Sequence, residues 1–477
     1  MRRSALGIVT WLVVVNALVK PAWLLVESTV QDYLGHASYG EFAALWHLTT
    51  LLATAFEVGT TLLAAQVVAR PAEAGSDGHE TYRAVLGLRL TLQAAYLLVV
   101  PLVCWLLGYQ GPQLVLAMAL ALVQGALAAL QFSRAVHQGG QRFVVDGILS
   151  AADKLVLLGL VLVWLKSYPP SSLRYAGLML ASVLPSLALS LVVLYRKGHW
   201  VAPRFTHRSW RPVIHLALPL ALMGILAAVN ERIGGVVLER LAGSYEAGLY
   251  AAAYRWIGGI QNYIWIVGAF FFARFAHLGA APTAGARFTL QQALIYTGVP
   301  MSVAAAVCVV HPQLFLGLLR SSQPQELASI ATHMRCLGVG LLACAIATPF
   351  GTWLSALGHA RRMVRVLALT AAAVLAATTL TLWVSQTGWV GWVYTGHHVL
   401  LAIAYVYLFG RVSGQPRQLG LVVRVVAAFG AATGTLWLAE TYLPLWVGVA
   451  LATATGLAAG VPLALAKKIV RRTQPEP

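Results

Sequence analysis

The chain has 477 residues, of which 59% are hydrophobic and 10% are charged, and its mean hydropathy is +0.75. A soluble domain carries about 25% charged residues, so the composition excludes a soluble globular protein and indicates one that crosses a membrane many times. The net charge of +18 is typical of basic residues collected in cytoplasmic loops. No stripe of basic and aromatic residues lies outside the apolar runs, so nucleic acid is not an expected partner.

Fourteen apolar runs reach the length of about 20 residues that a helix needs to span a bilayer. No run alternates polar and apolar residues for long enough to predict a β-barrel. The first run lacks a small-residue cleavage site and is expected to remain as helix 1. The predicted spans are 4–30, 40–69, 83–108, 113–136, 143–166, 173–195, 211–240, 246–275, 287–311, 326–356, 362–385, 389–410, 418–440 and 443–466.

Basic residues predict the orientation of these spans. With the N-terminus in the cytoplasm, 22 of the 33 Lys and Arg residues fall in cytoplasmic segments. Four fall in outer segments, and such an asymmetry is expected of a multi-pass protein. We therefore predict that both termini are cytoplasmic.

The longest cytoplasmic connection, near 196–210, divides the first six spans from the next six. It predicts an N-lobe at 1–200 with helices 1–6 and a C-lobe at 201–412 with helices 7–12. Residues 413–477 then hold helices 13 and 14 and a basic tail. The expected fold is therefore an all-α polytopic membrane protein with two six-helix lobes around a central cavity.

A short motif occurs twice and predicts that the two lobes are repeats. Each copy has two glycines five residues apart and an aromatic residue two positions later. The same offset of 208 residues relates His47 to Arg255. The copies are Gly35, Gly40 and Phe42, and Gly243, Gly248 and Tyr250.

The segment RLAGSYEAGLYAAAYR resembles the junction between helices 7 and 8 of polysaccharide flippases in the multidrug/oligosaccharidyl-lipid/polysaccharide exporter superfamily. LGHASYGEF and the following FEVG resemble the helix-2 region of that family. The resemblance implies a polyprenyl-diphosphate-linked oligosaccharide as substrate, and fourteen helices are typical of this branch. Related lipid II flippases use basic residues in helices 1 and 8 and an acidic residue near helix 2. Lys20, Arg255 and Glu41 occupy comparable places, although Lys20 stands where the family has arginine.

Seven basic residues lie within the predicted spans, and one of them, Lys154, is adjacent to Asp153. Arg89 and Arg424 are about 9 Å from the cytoplasmic ends and can extend to that surface. Four others lie roughly 12–15 Å from the outer ends, a shared depth that predicts a basic cavity, or alternatively separate structural ion pairs. These four are Lys20, Arg232, Arg255 and Arg335.

The predicted substrate-binding set consists of the four cations and four further residues, which are Glu41, His47, Asn230 and Glu231. A buried carboxylate can carry a proton across a membrane, which makes Glu57 and Asp153 candidates for ion coupling. The alternative is that these two acids form permanent ion pairs. No cofactor or metal is expected, because the four cysteines lie in apolar runs without metal-like spacing.

A basic cavity suits an anionic headgroup, since arginine matches phosphate bidentately. The family resemblance implies a flippase in the inner membrane of a bacterium that moves an undecaprenyl-diphosphate-linked glycan by alternating access, and this is the expected function. Without a nucleotide-binding motif, a proton gradient, a sodium gradient or the membrane potential is the expected driving force. The alternatives are an ion-coupled exporter of small molecules, for which an acidic cavity is expected, and a membrane polysaccharide polymerase, which needs larger outer loops.

The sequence does not separate the O-antigen of lipopolysaccharide, capsule, exopolysaccharide or lipid II as the pathway. Membrane lipids are expected partners, as are a glycan polymerase and glycosyltransferases of the same pathway.

Overall fold

The computed structural model describes residues 19, 23–69, 77–198, 201–278, 284–384, 387–413 and 418–461. All regular secondary structure in these residues is helical. Helices satisfy their own backbone hydrogen bonds, which is a requirement for apolar segments inside a bilayer. The predicted all-α polytopic membrane protein is therefore confirmed.

The chain divides into two units. Unit 1 comprises Met1–Gly248 and Leu318–Ser321, and unit 2 comprises Leu249–Gly317 and Ser322–Pro477. The domain limits predicted from the sequence remain a prediction. Unit 1 contains α1 (23–34), α2 (His36–Glu57), α3 (Thr60–Ala69), α4 (Asp77–Leu106), α5 (Pro112–Gly139), α6 (Phe143–Ser167), α7 (Ser172–Arg196), α8 (His207–Ala242) and the first turn of α9 (Ser244–Leu278). Unit 2 contains the rest of α9, α10 (Ala284–Val310), α11 (Gln313–Leu316), α12 (Pro324–Ala356), α13 (Ala360–Trp383), a 3₁₀ turn (Thr387–Trp389), α14 (Val390–Ser413), α15 (Leu419–Tyr442) and α16 (Leu445–Gly460).

Within the described residues, 11 helices are long and apolar enough to cross a membrane, or 12 if α2 and α3 form one bent span. The shorter α16 is also apolar. Most of the predicted span 4–30 lies outside the described residues, and only its end is seen, as part of α1. The predicted number of fourteen spans is thus approximate.

The predicted span 40–69 is broken in the structure. α2 ends at Glu57, α3 begins at Thr60, and the two helices are bent by 47°. Val58 (φ 46°) and Gly59 (φ 67°) both adopt left-handed backbone conformations. This conformation is unfavourable for a β-branched residue such as Val58, so tertiary packing must hold the break in place.

The two glycine motifs of the sequence pack against each other within unit 1. A Cβ atom on Gly40 would lie 1.8 Å from the carbonyl oxygen of Ser244, and a Cβ atom on Gly248 would lie 2.0 Å from that of His36. Ser244 is the counterpart of His36 at the offset of 208. The contact is therefore reciprocal, as at a two-fold axis, and only glycine permits such a close approach of backbones.

The local geometry around both motifs is also the same. Gly35 (φ 77°) precedes α2, and Gly243 (φ 94°) precedes α9. Each glycine donates its N–H to the carbonyl four residues earlier, Gly35 to Gln31 at 2.9 Å and Gly243 to Glu239 at 3.1 Å. The sequence predicted the spacing of these motifs, and the structure adds that they face one another.

In unit 2, α12 is the most deeply buried of the membrane helices. α10 packs against α12 with one face and against the α15–α16 hairpin with another. The hydroxyl of Ser302 on α10 donates to the carbonyl of Val425 on α15 at 3.0 Å. Small residues on α15 and α16 pack around Ala306 of α10 and allow this close approach.

Candidate functional site

His47 and Arg232 come together in unit 1, between α2 and α8. His47 is buried on α2, and a Cβ atom on Gly235 of α8 would lie 2.9 Å from its Nδ1. The guanidinium of Arg232 on α8 acts electrostatically on the imidazole. Two residues of the predicted substrate-binding set are therefore neighbours in one unit.

Asn230 and Glu231 flank this pair along α8. Asn230 is buried, and its side-chain amide donates to the carbonyl of Leu226 at 2.9 Å within the same helix. Glu231 and Arg232 are half-buried. Since adjacent helical residues point in different directions, Glu231 does not lie beside Arg232 on the helix surface.

Glu41 lies in a polar cluster that the sequence analysis did not identify. Gln113 donates to its carboxylate at 3.5 Å, and Glu239 and Arg240 act on it electrostatically. Glu239 is almost fully buried at the end of α8, where Ser244 donates to Oε1 at 3.0 Å. Nothing in the sequence indicated that Glu239 would be buried, because a charged residue next to Arg240 and near a predicted loop is usually exposed.

Tyr109 and Arg240 complete this cluster. The Tyr109 hydroxyl donates to Glu239 Oε2 at 2.6 Å, and the Arg240 guanidinium stacks 4.2 Å above the centre of the Tyr109 ring. Burial and the hydrogen bond to Glu239 raise the pKa of Tyr109 above its ordinary value. Tyr109 therefore stays protonated and remains a donor to the carboxylate.

Glu27 on α1 is a second buried carboxylate in unit 1 without an assigned role in the sequence analysis. The hydroxyl of Tyr175 donates to Oε1 at 2.5 Å, and the hydroxyl of Tyr39 donates to Oε2. The ring of Phe42 packs against both tyrosines. Two hydroxyl donors satisfy this acid, as is usual for a buried polar group.

The remaining predicted cations lie in different environments. Arg255 is half-buried on α9 of unit 2. Arg335 on α12 is exposed, and its Nε donates to the carbonyl of Val309 at 3.3 Å. Lys20 lies outside the described residues. A shared basic cavity therefore stays a prediction.

Unit 2 contains a buried polar cluster that the sequence analysis missed. Gln261 on α9 accepts a hydrogen bond from Tyr394 at 3.2 Å, lies 3.5 Å from Nε2 of His398, and donates to the sulfur of Cys344 at 3.3 Å. The rings of Tyr394 and His398 are 4.3 Å apart. These contacts join α9, α12 and α14 within the unit.

The two predicted ion-coupling acids have different neighbours. Asp153 is buried and forms an ion pair with the adjacent Lys154 at 3.1 Å, so its charge is locally compensated. Glu57 is half-buried at the break between α2 and α3. Its carboxylate acts electrostatically on Arg89, which is buried on α4 rather than extended to the surface. Among the described residues, no three His, Cys, Asp or Glu side chains are placed to hold a metal ion.

Comparison with known sequences identifies the family. The sequence profile described as "Polysaccharide biosynthesis protein" matches residues 8–277, which is more than half of the chain. The protein therefore belongs to this polysaccharide biosynthesis family. A search of curated protein sequences finds no significant match.

Solved membrane transporters have the same fold. The lipid II flippase MurJ, in an inward closed conformation, has a TM-score of 0.70 at 11% identity, with 97% of this chain and 99% of that chain covered. The MATE multidrug transporter DinF-BH has a TM-score of 0.63 at 12% identity, covering 87% and 98%. A MOP superfamily transporter from Pyrococcus furiosus has a TM-score of 0.59 at 16% identity, covering 85% and 93%. The protein is thus a multi-pass membrane protein with the fold of this transporter superfamily.

Proposed function

We propose that the protein is a flippase that moves a polyprenyl-diphosphate-linked oligosaccharide from the cytoplasmic to the periplasmic leaflet by alternating access. It would serve the synthesis of a cell-surface polysaccharide in a bacterial inner membrane. The observation that carries this proposal is the position of two arginines inside the membrane helices, where Arg232 and Arg255 are half-buried. A charge at such a depth costs roughly 2.5–3.5 kcal/mol on insertion scales, and a diphosphate headgroup is a ligand that would repay this cost.

Membership of the polysaccharide biosynthesis family supports the glycan as cargo. The match to the lipid II flippase extends over 97% of this chain, compared with 85% and 87% for two other transporters of the superfamily. The longer match favours the flippase branch. We further propose that Lys20, Arg232, Arg255 and Arg335 bind the diphosphate, with His47, Asn230, Glu231 and Glu41 in supporting contacts.

Ion-coupled export of a small molecule is the second candidate. The similarity in fold to a multidrug transporter favours it, as do the buried or half-buried carboxylates Glu57 and Asp153. In the flippase proposal, the same acids couple transport to a proton or sodium gradient. The two functions differ in cargo, and the arginines suit an anionic cargo better.

Replacement of Arg255 by alanine tests the flippase proposal. We expect Arg255→Ala to lower surface-glycan output by about 10- to 100-fold, because a charge-assisted hydrogen bond contributes about 1.5–3 kcal/mol. Arg255→Lys should restore only part of the output, because lysine lacks the planar fork of donors. The measurement is surface glycan at matched protein level in a strain without the wild-type protein.

Arg424→Ala is the matched control. Arg424 is an exposed arginine within the span of α15, so its loss should leave glycan output nearly unchanged. Normal output from Arg255→Ala would contradict the diphosphate-binding role. Loss of the Arg255→Ala protein from the membrane would instead identify Arg255 as a structural ion-pair partner.

A further inference from the structure

A cavity opens at one end of unit 1, beside the segment that joins α7 to α8. It has a volume of about 250 Å³ and lies between α3, α4 and α8. Its apolar walls are formed by Leu63, Val67, Ala84, Val85, Pro212 and Val213. An apolar cavity of roughly 150 Å³ is enough to bind benzene, so this space admits part of a hydrocarbon chain.

The same cavity has a charged rim, because Glu80 and Arg204 belong to its lining. Glu80 pairs with Arg83 through Oε1 at 3.0 Å and with Arg204 through Oε2. One carboxylate therefore serves two guanidinium groups, and these three side chains keep a net positive charge.

Arg208 adds a second positive charge to the rim. It is exposed on α8, four residues before Pro212 of the cavity wall, and residues at this spacing share one helix face. Among the described residues, Arg208 takes part in no ion pair. Its charge is therefore available to an anionic ligand at the mouth of the cavity.

The backbone that carries Arg204 is held firmly against α4. Its N–H donates to the carbonyl of Arg83 at 2.9 Å, and the Nε of Arg83 donates to the carbonyl of Ala202 at 3.0 Å. The indole of Trp210 donates to the carbonyl of Arg204 at 3.0 Å. A Cβ atom on Gly87 would lie 2.1 Å from that carbonyl oxygen, so only glycine permits this contact. The fold thus sets the place of Arg204 at the rim.

The residues around the mouth are those of a membrane interface. Phe205, next to Arg204, is 61% exposed, and aromatic and basic residues together are typical of the level of the lipid headgroups. The segment 196–210 is also the longest of the predicted cytoplasmic connections. Basic pockets between membrane helices on that side bind anionic headgroups.

We propose that this cavity is a binding site for an anionic phospholipid of the surrounding bilayer. The phosphate contacts Arg204 and Arg208 at the rim, and one acyl chain enters the apolar space between α3, α4 and α8. Arg208 lies about 36 Å along α8 from Arg232, so the site is separate from the arginine of that helix proposed to bind the cargo. Because α3 forms one wall, the bound lipid stabilises the bent arrangement of α2 and α3.

The test measures lipid binding to the full-length, delipidated protein by native mass spectrometry. Phosphatidylglycerol and phosphatidylcholine with the same acyl chains are compared, because they differ in net charge. We expect the first phosphatidylglycerol to bind about tenfold more tightly, since basic residues favour an anionic headgroup. Glycerol 3-phosphate should bind at least about tenfold more weakly than phosphatidylglycerol, because it has no chain to bury.

Removal of the two charges at the rim should abolish the preference for the anionic lipid. The variant is Arg204→Gln with Arg208→Gln. The matched control is Arg361→Gln with Arg365→Gln, because both residues are exposed on α13 at the same spacing along the chain. The control loses the same charge outside the cavity and should keep the preference.

A third variant tests the apolar part of the site with the arginines intact. Val67 is half-buried in the cavity wall, so the larger side chain in Val67→Trp should fill the space and weaken phosphatidylglycerol binding about tenfold. If the double variant at the rim does not fold, Arg208→Gln alone decides the role of charge, because Arg208 has no ion pair to lose.

An unchanged preference without the rim charges, or an equal loss in the control, would overturn the proposal. Equal binding of the two phospholipids by the wild-type protein would do the same, as would glycerol 3-phosphate binding as tightly as phosphatidylglycerol. A short-chain polyprenyl diphosphate that binds more tightly than phosphatidylglycerol, and loses this affinity in Val67→Trp, would assign the cavity to the cargo instead.

Discussion

At the scale of single residues, Glu239 illustrates how a carboxylate is stabilised inside unit 1. Tyr109 and Ser244 donate to its two oxygens at 2.6 and 3.0 Å, and Arg240 lies 3.4 Å away. The side chain is only 2% exposed. Every oxygen has a donor, so the cost of burying the charge is offset locally.

Replacement of Glu239 by alanine should therefore be strongly destabilising. Removal of one member of a buried ion pair typically costs about 3–5 kcal/mol. Glu239→Gln keeps an acceptor for Tyr109 and should be less harmful. The measurement is the thermal unfolding midpoint, Tm, in detergent. Glu440→Ala is the control, because Glu440 is half-exposed and its ion pair with His311 is long, at 3.9 Å, and therefore weak. Equal Tm values for Glu239→Ala and the control would contradict this role.

At the scale of helices, the crossing of α2 with the first turn of α9 depends on Gly40 and Gly248. We expect Gly40→Ala or Gly248→Ala to destabilise the protein by about 3 kcal/mol or more, because the added methyl group would meet a backbone oxygen that cannot turn away. Gly177→Ala on α7 is the control, since no atom lies within 4 Å of its added Cβ.

The double variant provides a sharper test of the same contact. If the two helices move apart once, both clashes are relieved. The double variant Gly40→Ala with Gly248→Ala should therefore lose clearly less free energy of unfolding than the sum of the losses in the two single variants. The Tm values of the four proteins form a double-mutant cycle. Additive losses would indicate that the two glycines act independently and that the reciprocal contact does not form in solution.

Most helices were predictable because a membrane span has a length and a hydropathy that the sequence displays directly. The predicted span 173–195 corresponds to Ser172–Arg196, and 113–136 corresponds to Pro112–Gly139. The break at Val58 was not predictable, because the surrounding run contains no proline and remains apolar. Local sequence also does not reveal that Glu239 meets Tyr109, which is 130 residues away along the chain.

The candidate site was predictable only in part for the same reason. Charges within apolar runs drew attention to Arg232 and Arg255, and the repeat drew attention to His47; the binding roles of these residues stay predictions. The depth assigned to Arg89 was too shallow, because α4 begins at Asp77 instead of near 83, and the residue is buried rather than extended to the surface. Side-chain partners between distant helices depend on packing, which hydropathy does not encode.

At the scale of the whole molecule, the distribution of basic residues makes a topological prediction. Cysteines introduced at the exposed positions Lys197 and Pro170 should react from opposite sides of the membrane. We expect position 197 to be labelled from the cytoplasm and position 170 from the periplasm, because 22 basic residues fall in the predicted cytoplasmic segments and four in the outer ones.

The four native cysteines are buried, so the unmodified protein serves as the background control for a membrane-impermeant thiol reagent. Labelling of position 197 from the periplasmic side would reverse the predicted orientation. Labelling of both positions from one side would mean that the number of spans between them is even.

The reciprocal glycine crossing also has a consequence for how the chain is made. The contact joins residues 36–40 to residues 244–248, which are separated by 208 positions. At a synthesis rate of about 5–20 residues per second, α2 leaves the ribosome roughly 10–40 s before its partner does. During this interval the surface of the nascent α2 around Gly40, which later packs against α9, is exposed to the lipid or to the insertion machinery. The reciprocal contact in unit 1 can therefore form only after α8 and the first turn of α9 have emerged, and a truncated product ending before α9 should be a substrate for membrane proteases.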